Sequence, residues 1–191
     1  AEAQRLAGLT SRIMDLSRVQ AADELTTAGP VSIDEVVAAS LEAHAVQAES
    51  AEVELVRGGQ RAAQVVGDVQ MLTEAVSNLI ANAIAYSPAG AHVGVGVRTI
   101  DGIVEIAVTD QGIGIAEADQ QRIFERFYRA DQARSRRTGG TGLGLAIVKH
   151  VAQRHDGEVR LWSQPGRGST FTLRIPEGGP VAPPQNRSNL S

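Results

Sequence analysis

The chain has 191 residues, 42% of them hydrophobic, which suffices for one domain of ordinary size plus a short additional element. Its net charge of −4 argues against a dedicated nucleic-acid binder, because such proteins usually carry a basic surface. The absence of cysteine excludes disulfides and thiolate metal sites. No apolar run approaches the roughly 20 residues that span a bilayer, and no signal peptide is recognisable. We therefore expect this stretch to be soluble and to make no direct membrane contact.

Residues 1–25 predict a helix of a bundle or coiled coil. Its apolar seam repeats at spacings of three and four and consists of Leu6, Leu9, Ile13 and Leu16. Because this seam has no obvious partner helix in the chain, we interpret it as one helix of a longer bundle. The alternative is a terminal helix that packs on its own domain. Residues 26–31 have the composition of a linker.

Residues 32–176 predict a globular domain that begins with helices and short strands. Ser32 and Glu35 fit a capping box, which indicates a helix running to about Gln47. Short strands are expected at 53–56 and 64–66, and Asp68 then caps a second helix. The buried stripe of that second helix is predicted to contain Val69, Leu72, Val76, Leu79, Ala83 and Ile84.

Later segments alternate apolar and polar residues with the period of a half-buried strand. The apolar sets are Val93, Val95 and Val97; Val104, Ile106 and Val108; Val159 and Leu161; and Phe171, Leu173 and Ile175. Such alternation is typical of a sheet that is covered on one face only. We therefore predict a two-layer α/β sandwich, with a mixed, largely antiparallel sheet under helices, and not a doubly wound fold. Residues 177–191 have the composition of a disordered tail.

A glycine-rich segment, RRTGGTGLGLAIVKH at 136–150, leads directly into an apolar helix pattern. It matches neither a Walker A loop nor a Rossmann fingerprint. Even so, glycines let a backbone approach a ligand closely, and a helix that begins near Leu143 presents unpaired N–H groups. Nearby cations are Arg129, Arg134, Arg136 and Arg137. Together these features favour a polyanion such as a nucleoside triphosphate, although a plain glycine-rich loop with solvated charges is the alternative.

Three further motifs support a nucleotide site. Asn78 and Asn82 lie four residues apart on one helix face, and an amide oxygen is a ligand that suits Mg²⁺. Asp110 follows a strand and precedes a Gly-x-Gly turn, where its carboxylate can accept a hydrogen bond from an exocyclic amine such as that of adenine. Residues 123–129 hold three of the six aromatic residues of the chain, a pattern that fits a hinge as well as ordinary packing.

In this order, N-x-x-x-N, D-x-G-x-G, F-E-R-F and G-T-G-L-G-L resemble the N, G1, F and G2 boxes of bacterial sensor histidine kinases. Gly-Arg-Gly-Ser-Thr-Phe at 166–171 is similar to their G3 segment, and the resemblance covers about residues 30–176. The leading helix resembles the second helix of the dimerisation and phosphoacceptor bundle. Residues 83–88 and 142–150 look like those of an actinobacterial phosphate-starvation sensor kinase.

The resemblance implies a role for each matching residue. Asn82 would coordinate Mg²⁺, Asn78 would contact the phosphates of ATP, and Asp110 would bind the adenine amine. The other implied nucleotide contacts are Tyr86, Gly112, Gly114, Ile123, Tyr128, Arg129, Gly140, Gly142, Leu143, Gly144, Leu145 and Thr170. Residues 130–141 would form a lid, which we expect to be mobile without nucleotide.

Two departures from the family pattern qualify this interpretation. Many members carry a basic residue where Ala85 stands, so we expect Arg129 or a lid arginine to supply that phosphate contact. None of the four histidines lies in the family's phosphoacceptor sequence; His44, His92, His150 and His155 are interpreted as structural or surface residues. The chain should bind ATP but should not phosphorylate itself at the usual site.

The resemblance thus implies a histidine kinase of a two-component system, which transfers the γ-phosphoryl group of ATP to a bundle histidine and then to a response-regulator aspartate. Its partners would be its own bundle, a second copy and the response regulator. It would be the cytoplasmic portion of a membrane-anchored sensor. The alternatives are an ATPase of the gyrase or chaperone type, and a nucleotide-binding regulatory module without catalysis.

Overall fold

The computed structural model describes residues 28–130 and 141–178. The predicted N-terminal helix, most of the predicted tail and most of the predicted lid therefore lie outside the described residues. So do Gly140 and the lid arginines, namely Arg134, Arg136 and Arg137.

The described residues alternate between strands and helices along the chain. The helices are α1 (Ile33–Ser50), α2 (Val69–Tyr86), α3 (Glu117–Gln120) and α4 (Gly144–Arg154), with a 3₁₀ helix at Arg122–Phe124. The strands are β1 (Gly29–Ser32), β2 (Glu54–Gly59), β3 (Gln64–Gly67), β4 (His92–Ile100), β5 (Ile103–Asp110), β6 (Glu158–Gln164) and β7 (Gly168–Pro176). None of the described helices is both long and apolar enough to cross a bilayer.

The strands of the described part form one mixed sheet and one small ribbon. The sheet has five strands in the order β2-β4-β5-β7-β6, with β2 parallel to β4 and the other neighbours antiparallel. Helices α2 and α4 pack against each other, and α2 contacts β5 while α4 contacts β6 and β7. The structure confirms the predicted two-layer sandwich with a largely antiparallel sheet.

Strand alternation places the core between the sheet and the helices. One inward-facing row crosses four strands, because the register pairs Val95 with Val108, Val108 with Phe171, and Phe171 with the half-buried Leu161. The apolar positions predicted on β4, β5 and β7 are all buried, whereas those on the edge strand β6 are half-buried. The predicted stripe of α2 is confirmed except at Val69. That residue occupies the first turn and its side chain is 49% exposed, beyond the part of α2 that packs on the core.

Local capping explains where the two long helices begin. The hydroxyl of Ser32 accepts a hydrogen bond from the backbone N–H of Glu35, so α1 begins as predicted, although it runs to Ser50. The carboxylate of Asp68 accepts hydrogen bonds from the N–H groups of Gln70 and Met71, which starts α2 as predicted.

The segment before α1 differs from its predicted linker character. Gly29 and Pro30 begin strand β1, which pairs antiparallel with β3 in the small ribbon. Proline lacks a backbone donor and is therefore tolerated in a strand mainly at an edge, which is where β1 lies. A segment with the composition of a linker therefore forms a strand, and the pairing of this strand with β3 places the start of α1 beside β3.

Candidate functional site

A cavity of about 440 Å³ opens between α2, the end of β5 and the start of α4. The cavity brings together residues from five separate segments of the described chain. Its lining includes Asn78, Asn82, Tyr86, Asp110, Gly114, Ile123, Tyr128, Arg129, Gly142, Gly144 and Leu145, all of them predicted from the sequence.

Helix α2 presents its two asparagines along one wall of the cavity. Asn78, Asn82 and Tyr86 are spaced by four residues, so they share one face of α2, beside the buried stripe. The Nδ2 of Asn78 donates to the carbonyl of Glu74 at 3.0 Å. Helix α4 approaches closely here, since a Cβ added at Gly144 would lie 2.9 Å from the Asn78 Oδ1. The start of α4 and the asparagine wall are therefore in direct contact.

Asp110 ends β5 at the floor of the cavity and is 7% exposed. Its Oδ1 accepts hydrogen bonds from the N–H of Gly112 at 2.8 Å and from the N–H of Ser169 at 3.2 Å. Within the described residues, no hydrogen bond falls on Oδ2. Burial raises the pKa of the Asp110 carboxyl, and the two N–H donors oppose that shift in part. The result is a fixed, buried acceptor facing the cavity.

The β6–β7 hairpin supports this floor from beneath. The hydroxyl of Ser163 accepts from the N–H of Ile115 at 2.8 Å and lies 3.0 Å from the hydroxyl of Ser169. Gly114 has a φ of +70°, and a Cβ there would lie 2.1 Å from the carbonyl oxygen of Gln164. Only glycine permits this approach, so the turn after Asp110 is clamped to the hairpin.

Aromatic and basic side chains close the opposite wall. The hydroxyl of Tyr128 donates to Asp119, and the Arg122 guanidinium lies 4.2 Å from the centre of the Tyr128 ring. That hydrogen bond raises the pKa of the Tyr128 phenol, because ionisation would place two anions side by side. Next in sequence, Arg129 lines the cavity with its Nη2 buried and without a hydrogen-bond partner among the described residues. A buried guanidinium nitrogen with no partner among the described residues is suited to an anionic ligand.

Phe127 and Gly142, which lie on either side of residues 128–141, are joined at the cavity mouth. The N–H of Phe127 donates to the carbonyl of Gly142 at 2.9 Å. Gly142 has a φ of +75°, and a Cβ there would lie 2.9 Å from the Phe127 Cα. Helix α4 begins two residues later. Its N-cap residue, Leu143, has no side-chain acceptor, so the amides of the first turn have no cap from that position.

Some predicted contacts lie away from the cavity lining. Gly112 is buried behind Asp110, and Leu143 is 1% exposed within the hydrophobic core. Thr170 points to the outer face of the sheet, where its hydroxyl lies 3.0 Å from that of Thr109. This position follows from strand alternation, because Phe171 points inward from the same strand. Ala85 is not part of the lining either, and Gly140 lies outside the described residues.

Several lining residues were not predicted. These are Ala81, Ile113, Ile115, Ala116, Asp119, Ser169 and Phe171, while Ala130 and Thr141 also line the cavity and are the end residues of the predicted lid. Ser169 could have been found, since it shares the inward face of β7 with Phe171. Asp119 could not, because it lies in the polar segment AEADQQ and reaches the cavity only through the placement of α3.

The fold and the cavity agree with a match to known proteins. Residues 67–179 match the family described as "Histidine kinase-, DNA gyrase B-, and HSP90-like ATPase". The chain belongs to this family, as an ATP-binding catalytic domain of the kind found in sensor histidine kinases.

Individual relatives place the chain among bacterial sensor kinases. It is 52% identical over 177 residues to the sensor-like histidine kinase SenX3 of Mycolicibacterium smegmatis, covering 93% of this chain and 46% of that protein. It is 34% identical to the phosphate regulon sensor protein PhoR of Pseudomonas aeruginosa, covering 91% and 39%. The solved mycobacterial sensor histidine kinase MprB is 36% identical with a TM-score of 0.68, covering 80% of this chain and 99% of that one. The predicted relation to phosphate-sensing kinases is confirmed, while the chain spans less than half the length of the two curated relatives.

Proposed function

We propose that this domain binds Mg²⁺-ATP and transfers its γ-phosphoryl group to a histidine on a dimerisation bundle. One observation carries the proposal. A buried carboxylate, two asparagines, an arginine whose buried Nη2 has no partner among the described residues, and a helix start without a side-chain cap from Leu143 line a single cavity. The carboxylate suits the adenine amine, and the remaining groups suit a triphosphate.

The adenine end of the proposed site is Asp110. Its Oδ1 is occupied by two backbone donors, which leaves Oδ2 to accept from the exocyclic amine of adenine. Ile123 and Phe171 supply apolar surface to the base from the same cavity. The backbone donors hold the carboxylate in place before nucleotide binds, so little ordering is needed on binding.

The phosphate end of the proposed site is the start of α4 together with Asn78, Asn82 and Arg129. Amide N–H groups at a helix start favour phosphate oxygens. Arg129, whose buried Nη2 has no partner in the described part of the chain, adds a positive charge. We infer that Arg129 supplies the charge that Ala85 lacks. The amide oxygen of Asn82 is a hard, neutral ligand that fits Mg²⁺, which neutralises phosphate charge when bound.

Asn78 favours transfer to a histidine over hydrolysis. An ATPase of the gyrase or chaperone type needs a general base to activate water, and an amide cannot accept that proton. A histidine acceptor brings its own nucleophilic nitrogen, which attacks the γ-phosphorus as the bond to the bridging oxygen breaks. The proposed reaction therefore requires positioning and charge neutralisation from this domain, and no base.

The curated relatives are more than twice as long as the part that this chain matches, and the proposal extends to a protein of that length. We infer that the acceptor bundle, a second copy of the chain and a response regulator are its partners. We further infer that a membrane anchor elsewhere in the protein places this domain in the cytoplasm. A non-catalytic regulatory module is the remaining alternative.

The test supplies the chain with a separate bundle that carries a phosphoacceptor histidine, together with Mg²⁺ and labelled ATP. Acid-labile, base-stable label on the bundle is expected. Steady phosphate release without an acceptor would support the ATPase, and ATP binding without transfer would support the regulatory module. Replacing Arg129 with alanine should lower ATP affinity and transfer; unchanged values would contradict its assigned role.

A further inference from the structure

A hydrogen bond between Asp119 and Tyr128 joins helix α3 to the segment that follows the 3₁₀ helix in the cavity wall. Asp119 lies on α3, and Tyr128 follows the 3₁₀ helix, two residues before the predicted lid begins at residue 130. The hydroxyl of Tyr128 donates to the Oδ1 of Asp119 at 2.5 Å, and both residues line the cavity. A carboxylate acceptor makes this a charge-assisted hydrogen bond, which is stronger than one between neutral groups.

Helix α3 provides a fixed support for Asp119. The Nε2 of the next residue, Gln120, donates to the carbonyl of Ile115 at 3.1 Å and to the carbonyl of Ser163 at 3.2 Å. Ser163 in turn accepts from the N–H of Ile115 and contacts the hydroxyl of Ser169, whose N–H donates to Asp110. Asp119 is therefore anchored, through α3, to the same hairpin that holds the adenine-facing carboxylate.

Tyr128 is held on its ring face as well as at its hydroxyl. The Arg122 guanidinium lies 4.2 Å from the ring centre, on the same short segment of chain. The backbone immediately before Tyr128 is fixed by the hydrogen bond from the Phe127 N–H to Gly142. Because contacts at its ring face and its hydroxyl hold Tyr128 in place, Tyr128 fixes the position from which the side chain of the next residue, Arg129, extends.

We propose that Asp119 is a positioning residue, which fixes Tyr128 and thereby directs the Arg129 guanidinium toward the phosphate end of the cavity. This role rests on the proposed function, since it concerns how the domain holds ATP. Helix α3 would then couple the adenine-binding floor of the cavity to the segment that carries Arg129, through one side-chain hydrogen bond.

A double-mutant cycle tests this role by calorimetric titration of ATP and Mg²⁺ into the 191-residue chain. Asp119→Ala and Tyr128→Phe should each weaken ATP binding by about three- to tenfold, as expected for loss of one hydrogen bond. Because they break the same bond, the double variant should bind no more weakly than the weaker single variant. Additive losses, or no loss in either variant, would overturn the proposal.

Matched variants separate positioning from general damage. Asp119→Asn keeps an acceptor oxygen but loses the charge, so it should weaken ATP binding less than Asp119→Ala does. Glu117→Ala removes an exposed carboxylate from the same helix and should change nothing. Urea unfolding of each variant identifies loss of folding. If Asp119→Ala does not fold, Tyr128→Phe removes the same hydrogen bond from its other end.

A spectroscopic readout follows the bond itself. With ¹³C-labelled tyrosine, the ring carbon that bears the Tyr128 hydroxyl should titrate at lower pH in Asp119→Ala than in the wild type. An unchanged titration would overturn the proposal. Failure of the wild-type chain to bind ATP would overturn the proposed function together with this role, whereas ATP binding with additive mutant effects would overturn this role alone.

Discussion

Asp68 and His155 connect the two helices that flank the cavity. The Nε2 of His155, just after α4, accepts a hydrogen bond of 3.1 Å from the backbone N–H of Asp68, which caps α2. Its Nδ1 lies 2.8 Å from the carbonyl of Val151 and must therefore carry the proton. A neutral, fully buried imidazole in one fixed tautomer thus holds the asparagine helix against the helix that begins at the cavity mouth.

Replacing His155 with alanine should lower the free energy of unfolding by about 3 kcal/mol, through a cavity and an unpaired Asp68 N–H. Burial lowers the pKa of His155 in the folded state below the ordinary histidine value. The stabilisation that the neutral imidazole provides is therefore fully present above that ordinary value, and it is lost as pH falls from there toward the folded-state pKa. Urea unfolding at pH 7.5 and 5.5 should show a smaller difference between wild type and variant at pH 5.5. His92→Ala, at a half-exposed position, is the control and should cost little. A difference that does not change with pH would contradict this account.

Asp110→Asn should separate binding from stability. Burial raises the pKa of the Asp110 carboxyl above its unfolded value, so its ionised form at neutral pH opposes folding. The amide removes that charge, and urea unfolding at pH 7 should show a more stable chain. ATP affinity should fall at least about tenfold, because the amide nitrogen would face another donor. A variant that binds ATP normally would refute the assigned adenine contact.

Gly142→Ala tests the contact between Phe127 and Gly142 at the cavity mouth. A side chain there meets the Phe127 backbone and adopts a disfavoured positive φ, so both ATP affinity and stability should fall, the latter by about 2 kcal/mol. Gly166→Ala is a matched control with a φ of +77° and no atom within 4 Å of an added Cβ. Gly166→Ala should lower stability only through the backbone strain of its positive φ, and it should leave ATP affinity unchanged. Equal losses of affinity in the two variants would contradict a specific role for Gly142.

Glu105 links three strands on the outer face of the sheet. Its carboxylate contacts Arg98 at 2.6 Å and Arg174 at 2.8 Å, and Arg174 also contacts Glu158. Burial raises the pKa of Glu105, but the two arginine hydrogen bonds outweigh it and hold that pKa below its usual range. Its stabilisation is therefore present at neutral pH and is lost as pH falls through the folded-state pKa.

Glu105→Gln should accordingly cost about 2 kcal/mol at pH 7, and less in acid, as measured by urea unfolding at both pH values. Glu117→Gln, at an exposed position, is the control and should stay close to wild type. ATP affinity should not change in either variant, because the outer face of the sheet lies away from the cavity. A cost for Glu105→Gln that is equal at both pH values would contradict the ion-pair account.

The sequence predicts those features that depend on local chemistry. Asp68 was identifiable as a helix cap, and the alternation around Val95 and Val108 predicted a sheet covered on one face, because both signals lie within a few residues. Contacts across the fold carry no such local signal: Asp68 and His155 are 87 residues apart. The family resemblance implied that Thr170 contacts the nucleotide. Strand alternation instead predicts that Thr170 points to the opposite face of the sheet from Phe171, as the structure shows. Strand β1 was missed because glycine and proline suggested a linker.

The central claim is that the cavity between α2 and α4 binds Mg²⁺-ATP, and an amide NMR titration of the ¹⁵N-labelled chain tests it most directly. On addition of ATP with Mg²⁺, we expect saturable shifts concentrated at Asn78, Asn82, Gly112, Tyr128 and Gly144. Omitting Mg²⁺ should weaken binding and reduce the shifts around Asn82. Saturable shifts that fall elsewhere on the domain, or no shifts at millimolar ATP, would contradict the claim.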